Sequence, residues 1–326
     1  MSTALREAIP NAEITWLVRA YTAPLLANNP DVDRVLIDDN SVEELVDKLE
    51  SERFDAAIVS YARWPTVRAL TRAGIPIRIG AANKLHSILF NKRIWQRRSN
   101  GKKHEADCNL QLLAPLGVPF KRYPTRLVLT EGERRAARET LGRRGLSFSK
   151  PVVILHPGSG GSSARWPLDH YSALGDRLLS DGADVIVTEG PGENHRERMT
   201  HTLQRNAIFI QPGSVGIREL AAIFSYGDIV VTNSTGPLHL AVALGVSTVS
   251  VFSPIPTCCP MRWGPYPDYV EARERHSVFV APTSEDMFAI SVRDVWTECQ
   301  SKLATVVLAE STALEGRLHV RRWPRP

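Results

Sequence analysis

Short runs of β-branched and aliphatic residues alternate with longer amphipathic stretches along nearly the whole chain. This alternation constrains the fold more than any other feature of the sequence. A first series predicts strands at 14–18, 34–37 and 54–59, and a helix that begins after Ser41. A second series predicts strands at 151–156, 183–189, 207–210, 228–232 and 246–252. Strands and helices in this order are typical of parallel α/β sheets with helices on both faces.

Two such series in 326 residues indicate two domains, since the chain is longer than a typical single core. We assign residues 1–140 to a first domain and 141–290 to a second, followed by a helix at 291–307 and a basic tail at 308–326. The chain begins with a helical pattern, although a doubly wound domain normally begins with a strand. Either the first sheet lacks a member or the chain lacks its true beginning.

Composition is ordinary for a soluble globular protein, with 43% hydrophobic and 23% charged residues. A net charge of +5 is compatible with an anionic partner. The four cysteines lack the spacing of a metal site and predict reduced thiols in a cytoplasmic protein. Neither a signal peptide nor an apolar run of about 18 residues is found, so we expect no membrane span.

Three loops of the second domain follow predicted strands and lead to helix N-termini, where open α/β sheets bind ligands. The loop 156–167 is rich in Gly and Ser, which lets backbone amides approach a ligand, and its Arg165 offers a guanidinium to a phosphate. Glu193 follows the next strand, where an acidic residue can reach ribose hydroxyls. Residues 233–236 lead into a helix whose dipole favours negative charge. Together the loops predict a diphosphate site.

Each loop also has a plainer interpretation. Arg165 is explained equally well as a solvated side chain on a surface loop, and Glu193 as a helix-capping carboxylate. A single histidine such as His239 is more often structural than catalytic. The loops match neither the Walker pattern nor a clean G-x-G-x-x-G. What favours a binding site is that three such loops fall at strand ends of one sheet.

A basic run in the first domain has no acidic residue within it. Its members are Lys92, Arg93, Arg97, Arg98, Lys102 and Lys103. A solvated loop is the plainer interpretation of such a run. Its place in the first domain, with Trp95 among the charges, favours a site for an anionic, phosphate-bearing glycolipid at a membrane face. Nucleic acid is the competing partner, but no recognisable binding module accompanies the run, so we expect none.

Three segments of the second domain resemble, in order and spacing, the bacterial family-9 glycosyltransferases, the ADP-heptose:lipopolysaccharide heptosyltransferases. They are "HPGSGGSSARWPLDHYSALGDRLL", "GPGEN" and "IRELAAIFSYGDIVVTNSTGPLHLAVALGVSTVSVFSP". The segments "GIPIRIG" and "KHEADCNLQLLAPLGVP" are similar to that family's acceptor half. The resemblance covers residue 1 to about 305. It implies a GT-B fold, in which two Rossmann-like doubly wound domains face across a cleft, with the C-terminal helix packing back on the first domain.

The resemblance also implies site residues on the second domain and a reaction without metal or cofactor. The positions that match donor contacts are Gly158, Ser159, Ser162, Ser163, Glu193, Val215, Ser234, Thr235, Gly236 and Pro237. Arg165 and His239 would stabilise the leaving diphosphate, Glu193 would bind ribose, and Val215 would lie near the base. Ala164 stands where the family has a basic residue. Ser234 replaces an Asp that contacts the donor sugar in heptosyltransferases, which leaves the transferred sugar open.

The implied function is inverting transfer of heptose or a related sugar from a nucleotide-diphosphate donor, with ADP-heptose first, to a lipopolysaccharide core or similar glycolipid. The family's general base is an Asp in a Gly-Asp turn after the first strand, which we expect upstream of Met1. A nucleotide-binding protein with impaired catalysis is therefore one alternative, and a nicotinamide-dependent oxidoreductase is another. The expected location is cytoplasmic, with peripheral contact at the inner face of the inner membrane.

Overall fold

A computed structural model describes residues 1–38, 41–161, 163–211, 213–266, 274–284 and 286–314. The chain divides into two compact units, Met1–Pro124 and Thr125–Pro326. The division lies before the charged helix 131–143, and therefore earlier than the boundary at 140 expected from the sequence. This helix belongs to the second unit because Tyr226 donates a hydrogen bond to the carbonyl of Arg134 and Arg218 forms an ion pair with Glu133.

The first unit combines short parallel strands with helices. Its strands are β1 (Thr15–Val18), β2 (Arg34–Ile37), β3 (Ala56–Val59), β4 (Ile77–Ala81) and β5 (Lys92–Ile94). Its α-helices are α1 (Ser2–Ala8), α2 (Val42–Glu52), α3 (Trp64–Arg72) and α4 (Glu105–Gln111). Its 3₁₀ helices are Ala23–Leu26, Leu85–Leu89, Arg98–Asn100 and Ala114–Leu116.

The predicted helix after Ser41 is confirmed, and its start has a clear local cause. The Ser41 hydroxyl accepts a hydrogen bond from the Glu44 amide at 3.2 Å, and the Glu44 carboxylate accepts one from the Ser41 amide at 3.0 Å. This reciprocal pair satisfies amides at the helix start. The buried face of α2, with Leu45, Val46 and Leu49, then packs on α3.

Strands of the first unit form two parallel sheets, β1-β2 and β3-β4-β5. One doubly wound sheet was expected, with the reservation that a member could be lacking. Leu17 of β1 lies in the same apolar cluster as Ala57 and Val59 of β3. No ladder of hydrogen bonds joins β1 to β3 in the described part of this unit. The unit is therefore held together by side-chain packing between its sheets as well as by strand pairing.

The second unit is a larger α/β layer structure. Its strands are β6 (Val152–His156), β7 (Asp184–Thr188), β8 (Ile208–Ile210), β9 (Ile229–Asn233), β10 (Ser247–Phe252) and β11 (His276–Val280). Its α-helices are α5 (Glu131–Arg143), α6 (Leu168–Ser180), α7 (His201–Asn206), α8 (Ile217–Phe224), α9 (Gly236–Ala243), α10 (Pro260–Trp263) and α11 (Val292–Leu314). The 3₁₀ helices are Arg196–Arg198 and Met287–Ala289.

These six strands form one parallel sheet in the order β8-β7-β6-β9-β10-β11. This is the order of Rossmann-type doubly wound sheets, so the predicted architecture of this unit is confirmed. All five residues of β6 and of β9 are buried, as expected for central strands covered by helices on both faces. The order reverses between β6 and β9, and that point fixes where a ligand is expected.

The C-terminal helix α11 continues to Leu314, beyond the expected end at 307. Its residues Val295 and Cys299 are buried in the core of the second unit, and the indole of Trp296 donates a hydrogen bond to the Asp181 carboxylate at 2.7 Å. The expected packing of this helix on the first domain stays a prediction. Residues 315–326 of the predicted tail lie outside the described residues.

Across the described ranges, no helix has both the length and the apolar character needed to cross a bilayer. All four cysteines are free thiols, with Cys108 and Cys299 buried. Burial raises the pKa of the Cys299 thiol to about 12, so this side chain is a neutral core residue.

Candidate donor-binding site

The first and third predicted loops follow β6 and β9, the adjacent strands between which the sheet order reverses. In open α/β sheets, ligands bind beyond the carboxyl ends of the strands at this point. The second predicted loop follows β7, the neighbour of β6 on the other side. The fold therefore brings the three loops to one edge of one sheet, as the sequence predicted.

Asn233 connects the first loop to the third. Its side chain is fully buried at the end of β9, and its Oδ1 accepts a hydrogen bond from the Trp166 amide at 2.9 Å. Its Nδ2 donates to the carbonyls of Pro157 at 2.8 Å and Gly158 at 3.3 Å. One amide side chain thus fixes both ends of the loop 157–166 beside the start of α9.

Trp166 anchors the far end of the same loop. It is 1% exposed, its indole donates to the Ile290 carbonyl at 2.9 Å, and its ring meets Tyr171 edge to face at 4.9 Å between centroids. The preceding Arg165 is exposed. A buried aromatic side chain therefore holds the backbone from which the predicted phosphate-binding guanidinium extends into solvent.

Glu193 connects the second loop to the first. Its carboxylate accepts hydrogen bonds from the amides of Gly190 at 2.7 Å, Ser159 at 3.1 Å and Gly160 at 3.3 Å. A Cβ on Gly158 would lie 1.8 Å from Glu193 Oε2, so only glycine fits there without displacing the carboxylate. Burial opposes ionisation of Glu193, yet these amide hydrogen bonds hold its pKa below the usual value.

Two buried histidines lie beside this carboxylate. The Nε2 of His195 is 3.6 Å from Glu193 Oε2, and the His195 amide donates to the Glu189 carboxylate at 2.5 Å. His156, the last residue of β6, shares a hydrogen bond of 2.8 Å between its Nδ1 and the Thr188 hydroxyl. Burial lowers the pKa of His156 to about 4, so this imidazole is neutral at physiological pH.

The third loop forms the start of α9. Thr235 is the N-cap and Pro237 occupies the first turn, while the Thr235 side chain makes no capping hydrogen bond in this part of the structure. Its hydroxyl lies 3.3 Å from that of Thr232. A Cβ on Gly236 would meet nothing within 4 Å, so the space beside this first helical residue is open. Such a helix start favours an anion.

The remaining predicted donor residues are less directly tied to this edge. Ser234 is half-buried and its amide donates to the Val251 carbonyl at 3.1 Å. His239 is half-buried on α9, with its ring centroid 6.1 Å from that of Trp263. Val215 is half-buried in the loop between β8 and α8, and Ser163 has a buried hydroxyl with no protein partner in the described chain. Ser162 lies outside the described residues.

A pocket of about 450 Å³ opens beside the ends of β7 and β8. Its lining includes Glu189, Glu193, Asn194 and Gln211. The end of the second strand in a doubly wound sheet is where ribose hydroxyls are bound. The pocket therefore lies at the strand end where doubly wound sheets bind ribose, and its lining is polar.

In the first unit, the predicted acceptor residues separate into two groups. Arg98 is largely buried and is committed to an ion pair with Glu105 and to hydrogen bonds with Asn109 and the Ser60 carbonyl. The other five are exposed, and they are Lys92, Arg93, Arg97, Lys102 and Lys103. Arg98 therefore shapes this region from within, while its neighbours face solvent.

Sequence reasoning did not identify Asn233 as the residue that joins the loops, or Glu189 as the acceptor for the His195 amide. Asn233 ends β9, and Glu189 directly follows β7. A buried polar residue at the end of a central strand is the sequence signal that marks both. Among the residues the structure describes, no group of three His, Cys, Asp or Glu side chains is arranged to hold a metal ion.

The fold is that of a two-unit α/β protein whose second unit brings three loops together at one edge of its sheet. The model of glycosyltransferase family 9 (heptosyltransferase) matches residues 42–277, and the chain belongs to this family. It is therefore a glycosyltransferase, as the resemblance predicted.

Individual relatives agree with the family. A putative glycosyltransferase of Haemophilus influenzae is 29% identical over 298 residues, which are 86% of this chain and 84% of that protein. A lipopolysaccharide core heptosyltransferase of the same organism is 21% identical over 91% of this chain and 87% of its own. The structure of Escherichia coli ADP-heptose lipopolysaccharide heptosyltransferase II covers 93% of both chains with a TM-score of 0.77 at 20% identity. The likeness to solved structures confirms the GT-B fold.

Proposed function

We propose that this glycosyltransferase moves a sugar from a nucleotide-diphosphate donor to a lipopolysaccharide core or similar glycolipid, with inversion at the anomeric carbon. The observation that carries the proposal is the joining of three loops at the switch point of the second sheet by Asn233 and Glu193. The name of the structurally similar Escherichia coli enzyme supports ADP-heptose as the first donor to test.

In this proposal the donor diphosphate lies between the loop 158–165 and the start of α9. Gly158, Ser159 and Ser163 border it on one side, and Ser234, Thr235, Gly236 and Pro237 on the other. Negative charge grows on the diphosphate as the sugar leaves, and the dipole of α9 stabilises that charge. Arg165 adds a charge-assisted hydrogen bond, and His239, one turn into α9, adds a further donor.

The nucleoside occupies the polar pocket at the ends of β7 and β8. Glu193 lines this pocket while three loop amides donate to its carboxylate, so its proposed contact with ribose uses the lone pair of Oε2 that those amides leave open. Val215 lies near the base. No metal or cofactor takes part in the proposed reaction, because protein groups supply the positive charge that stabilises the diphosphate.

The acceptor binds the first unit through its exposed basic side chains. An anionic, phosphate-bearing glycolipid fits Lys92, Arg93, Arg97, Lys102 and Lys103, and peripheral contact with the inner face of a membrane would present it. The attacking acceptor hydroxyl loses its proton to a general base, which contributes roughly two to four powers of ten in rate. The resemblance gives that role to an Asp in a Gly-Asp turn.

The test is a transfer assay with ADP-heptose and a lipopolysaccharide-core acceptor, together with titration of ADP by calorimetry. Arg165→Ala should lower the transfer rate by about a hundredfold, as expected for loss of one charge-stabilising donor. Arg135→Ala changes an exposed arginine on α5 and is the matched control. An undiminished rate in the Arg165 variant would remove that residue from the mechanism.

Two results would favour the alternatives. Binding of ADP without transfer to any glycolipid acceptor would identify a nucleotide-binding protein with impaired catalysis. Binding of NADH in preference to ADP-sugars would identify an oxidoreductase. If no nucleotide binds, the donor-site proposal is wrong.

A further inference from the structure

Positive charge is concentrated in one segment of the first unit. Residues 56–104 contain eleven Lys and Arg residues and no Asp or Glu, whereas the rest of the chain has 29 basic residues against 35 acidic ones. The net positive charge of the protein therefore comes from this segment alone. Its strands are β3, β4 and β5, which form one parallel sheet.

The loops that follow these three strands also expose large apolar side chains. Tyr61, after β3, is 78% exposed, and Trp95, after β5, is 84% exposed. Leu85 and Ile88, after β4, are 75% and 64% exposed. Single exposed apolar residues are normal on a protein surface, but a group at one sheet edge marks an interaction site.

In the 3₁₀ helix Leu85–Leu89 two apolar side chains lie outside and the two polar ones inside, while Leu89 packs against the core. His86 and Ser87 are buried, while Leu85 and Ile88 face solvent. Residues three apart lie on the same side of a 3₁₀ helix, so Leu85 and Ile88 form one outward apolar face. Phe90, which follows the end of this helix, is 2% exposed.

This orientation is fixed by packing on both sides of the short helix. The ring of His86 meets Trp64 at 5.8 Å and Phe90 at 6.3 Å between centroids, both edge to face. A Cβ on Gly80 would lie 2.2 Å from the Phe90 ring, so the glycine allows Phe90 to lie directly against β4. The outward face of Leu85 and Ile88 is therefore a consequence of anchored neighbours.

Hydrogen bonds join the three loops. The Ala82 amide donates to the Ile94 carbonyl at 2.9 Å, which places Trp95 beside the segment that leads to Leu85. Arg98 donates to the Ser60 carbonyl at 3.1 Å, which ties the segment after β5 to the loop after β3. We call this surface the apolar-basic edge, and it consists of Tyr61, Lys84, Leu85, Ile88, Lys92, Arg93 and Trp95.

We propose that the apolar-basic edge docks on an anionic lipid bilayer. In this arrangement Leu85, Ile88, Trp95 and Tyr61 enter the interfacial region, where aromatic and aliphatic side chains are favoured, and the basic side chains meet lipid phosphates. The inference rests on the proposed glycolipid acceptor. Such an acceptor is embedded in a membrane, so an enzyme bound to that membrane meets it there.

Charge complementarity selects the bilayer over a second copy of this chain. Pairing two copies through this edge would bring two segments together that each carry eleven basic residues and no acidic one. Like charges across an interface oppose association, whereas an anionic membrane surface attracts each Lys and Arg near it.

The experiment measures co-sedimentation of the purified full chain with vesicles of 30% phosphatidylglycerol and 70% phosphatidylethanolamine, and with pure phosphatidylcholine. No nucleotide or sugar acceptor is present, so the outcome is separate from that of the transfer assay. We expect the wild-type protein to bind the anionic vesicles. The double variant Leu85→Ser/Ile88→Ser should bind them at least tenfold more weakly, because it lacks the two apolar side chains that leave water on binding. The control is Phe288→Ser, which removes an apolar side chain of similar exposure, 67%, from the second unit.

Tryptophan emission gives a second, independent readout. The wild-type protein should show a blue shift on addition of anionic vesicles, and Trp95→Phe should lose most of that shift while retaining its circular dichroism spectrum. Binding that is unchanged in both variants would overturn the proposal, since the basic residues alone would then explain it. Absence of vesicle binding by the wild-type protein would also overturn it. So would a double variant that loses self-association while its vesicle binding stays unchanged.

Discussion

Asn233 makes the sharpest stability test of the site, because one side chain holds two loops. Asn233→Ala removes three hydrogen bonds, to the Trp166 amide and to the carbonyls of Pro157 and Gly158. Each neutral hydrogen bond contributes about 1 kcal/mol, and a buried amide left without an acceptor costs about 1–3 kcal/mol more. The expected loss in the free energy of unfolding is therefore about 4–6 kcal/mol.

The variant Asn233→Asp tests whether the same side chain also positions the donor site. An aspartate keeps the shape and can still accept from the Trp166 amide, but it presents an oxygen instead of a donor to the Pro157 and Gly158 carbonyls. The first loop should lose its position beside α9, and ADP affinity should fall at least tenfold. Urea unfolding followed by fluorescence, and calorimetric titration of ADP, measure the two effects.

The matched control is Asn206→Ala. Asn206 is exposed at the end of α7 and donates a single hydrogen bond of 2.8 Å to the Thr202 carbonyl. A surface change of this kind stays within about 0.5 kcal/mol. If Asn233→Asp binds ADP as tightly as the wild-type protein, the connection between the loops does not position the donor site, and the reasoning is refuted.

Three further predictions follow from named contacts. Gly158→Ala places a methyl 1.8 Å from a carboxylate oxygen and should destabilise the protein in urea, whereas Gly236→Ala adds a methyl in open space and should weaken ADP binding in calorimetry without loss of stability. Because burial lowers the pKa of His156 from 6.5 to about 4, stability should be complete above pH 6.5 and fall by about 2 kcal/mol by pH 5, and His156→Gln should abolish that part of the pH dependence. Arg98→Ala should lower the free energy of unfolding in urea by about 3 kcal/mol, because it removes the cation that pairs with the largely buried Glu105 carboxylate. Arg97→Ala, at an exposed position, should lower it by less than about 0.5 kcal/mol.

The strands of the second sheet were predictable because each is a short apolar run bounded by polar or glycine residues, as in "DIVVT". The strands missed by sequence reasoning have weaker signals. β5 consists of Lys92, Arg93 and Ile94 on an edge of its sheet, and its charges indicated a loop. An edge strand needs only one neighbour. Pairing with β4 therefore makes residues 92–94 a strand, although their intrinsic β propensity does not. β11, also an edge strand, was missed as well.

The strand ends that form the candidate site were predictable, and the connections between their loops were not. Strand ends that lead to glycine-rich loops and helix starts are visible in sequence, and the switch point brings them together. The contact between Gly158 and Glu193 joins residues 35 positions apart, so no local pattern contains it. The same holds for Arg98, which sequence reasoning grouped with exposed basic neighbours although its guanidinium pairs with Glu105 inside the unit.

The position of Glu193 changes how the proposed diphosphate must be bound. The amides of Ser159, Gly160 and Gly190 already donate to this carboxylate, whose lowered pKa keeps it ionised at physiological pH. A diphosphate beside it meets like charge as well as fewer amide donors, and both effects oppose binding. The stabilising charge must therefore come from the start of α9 and from Arg165, which makes the guanidinium more important here than in a site whose loop amides are all directed at the ligand.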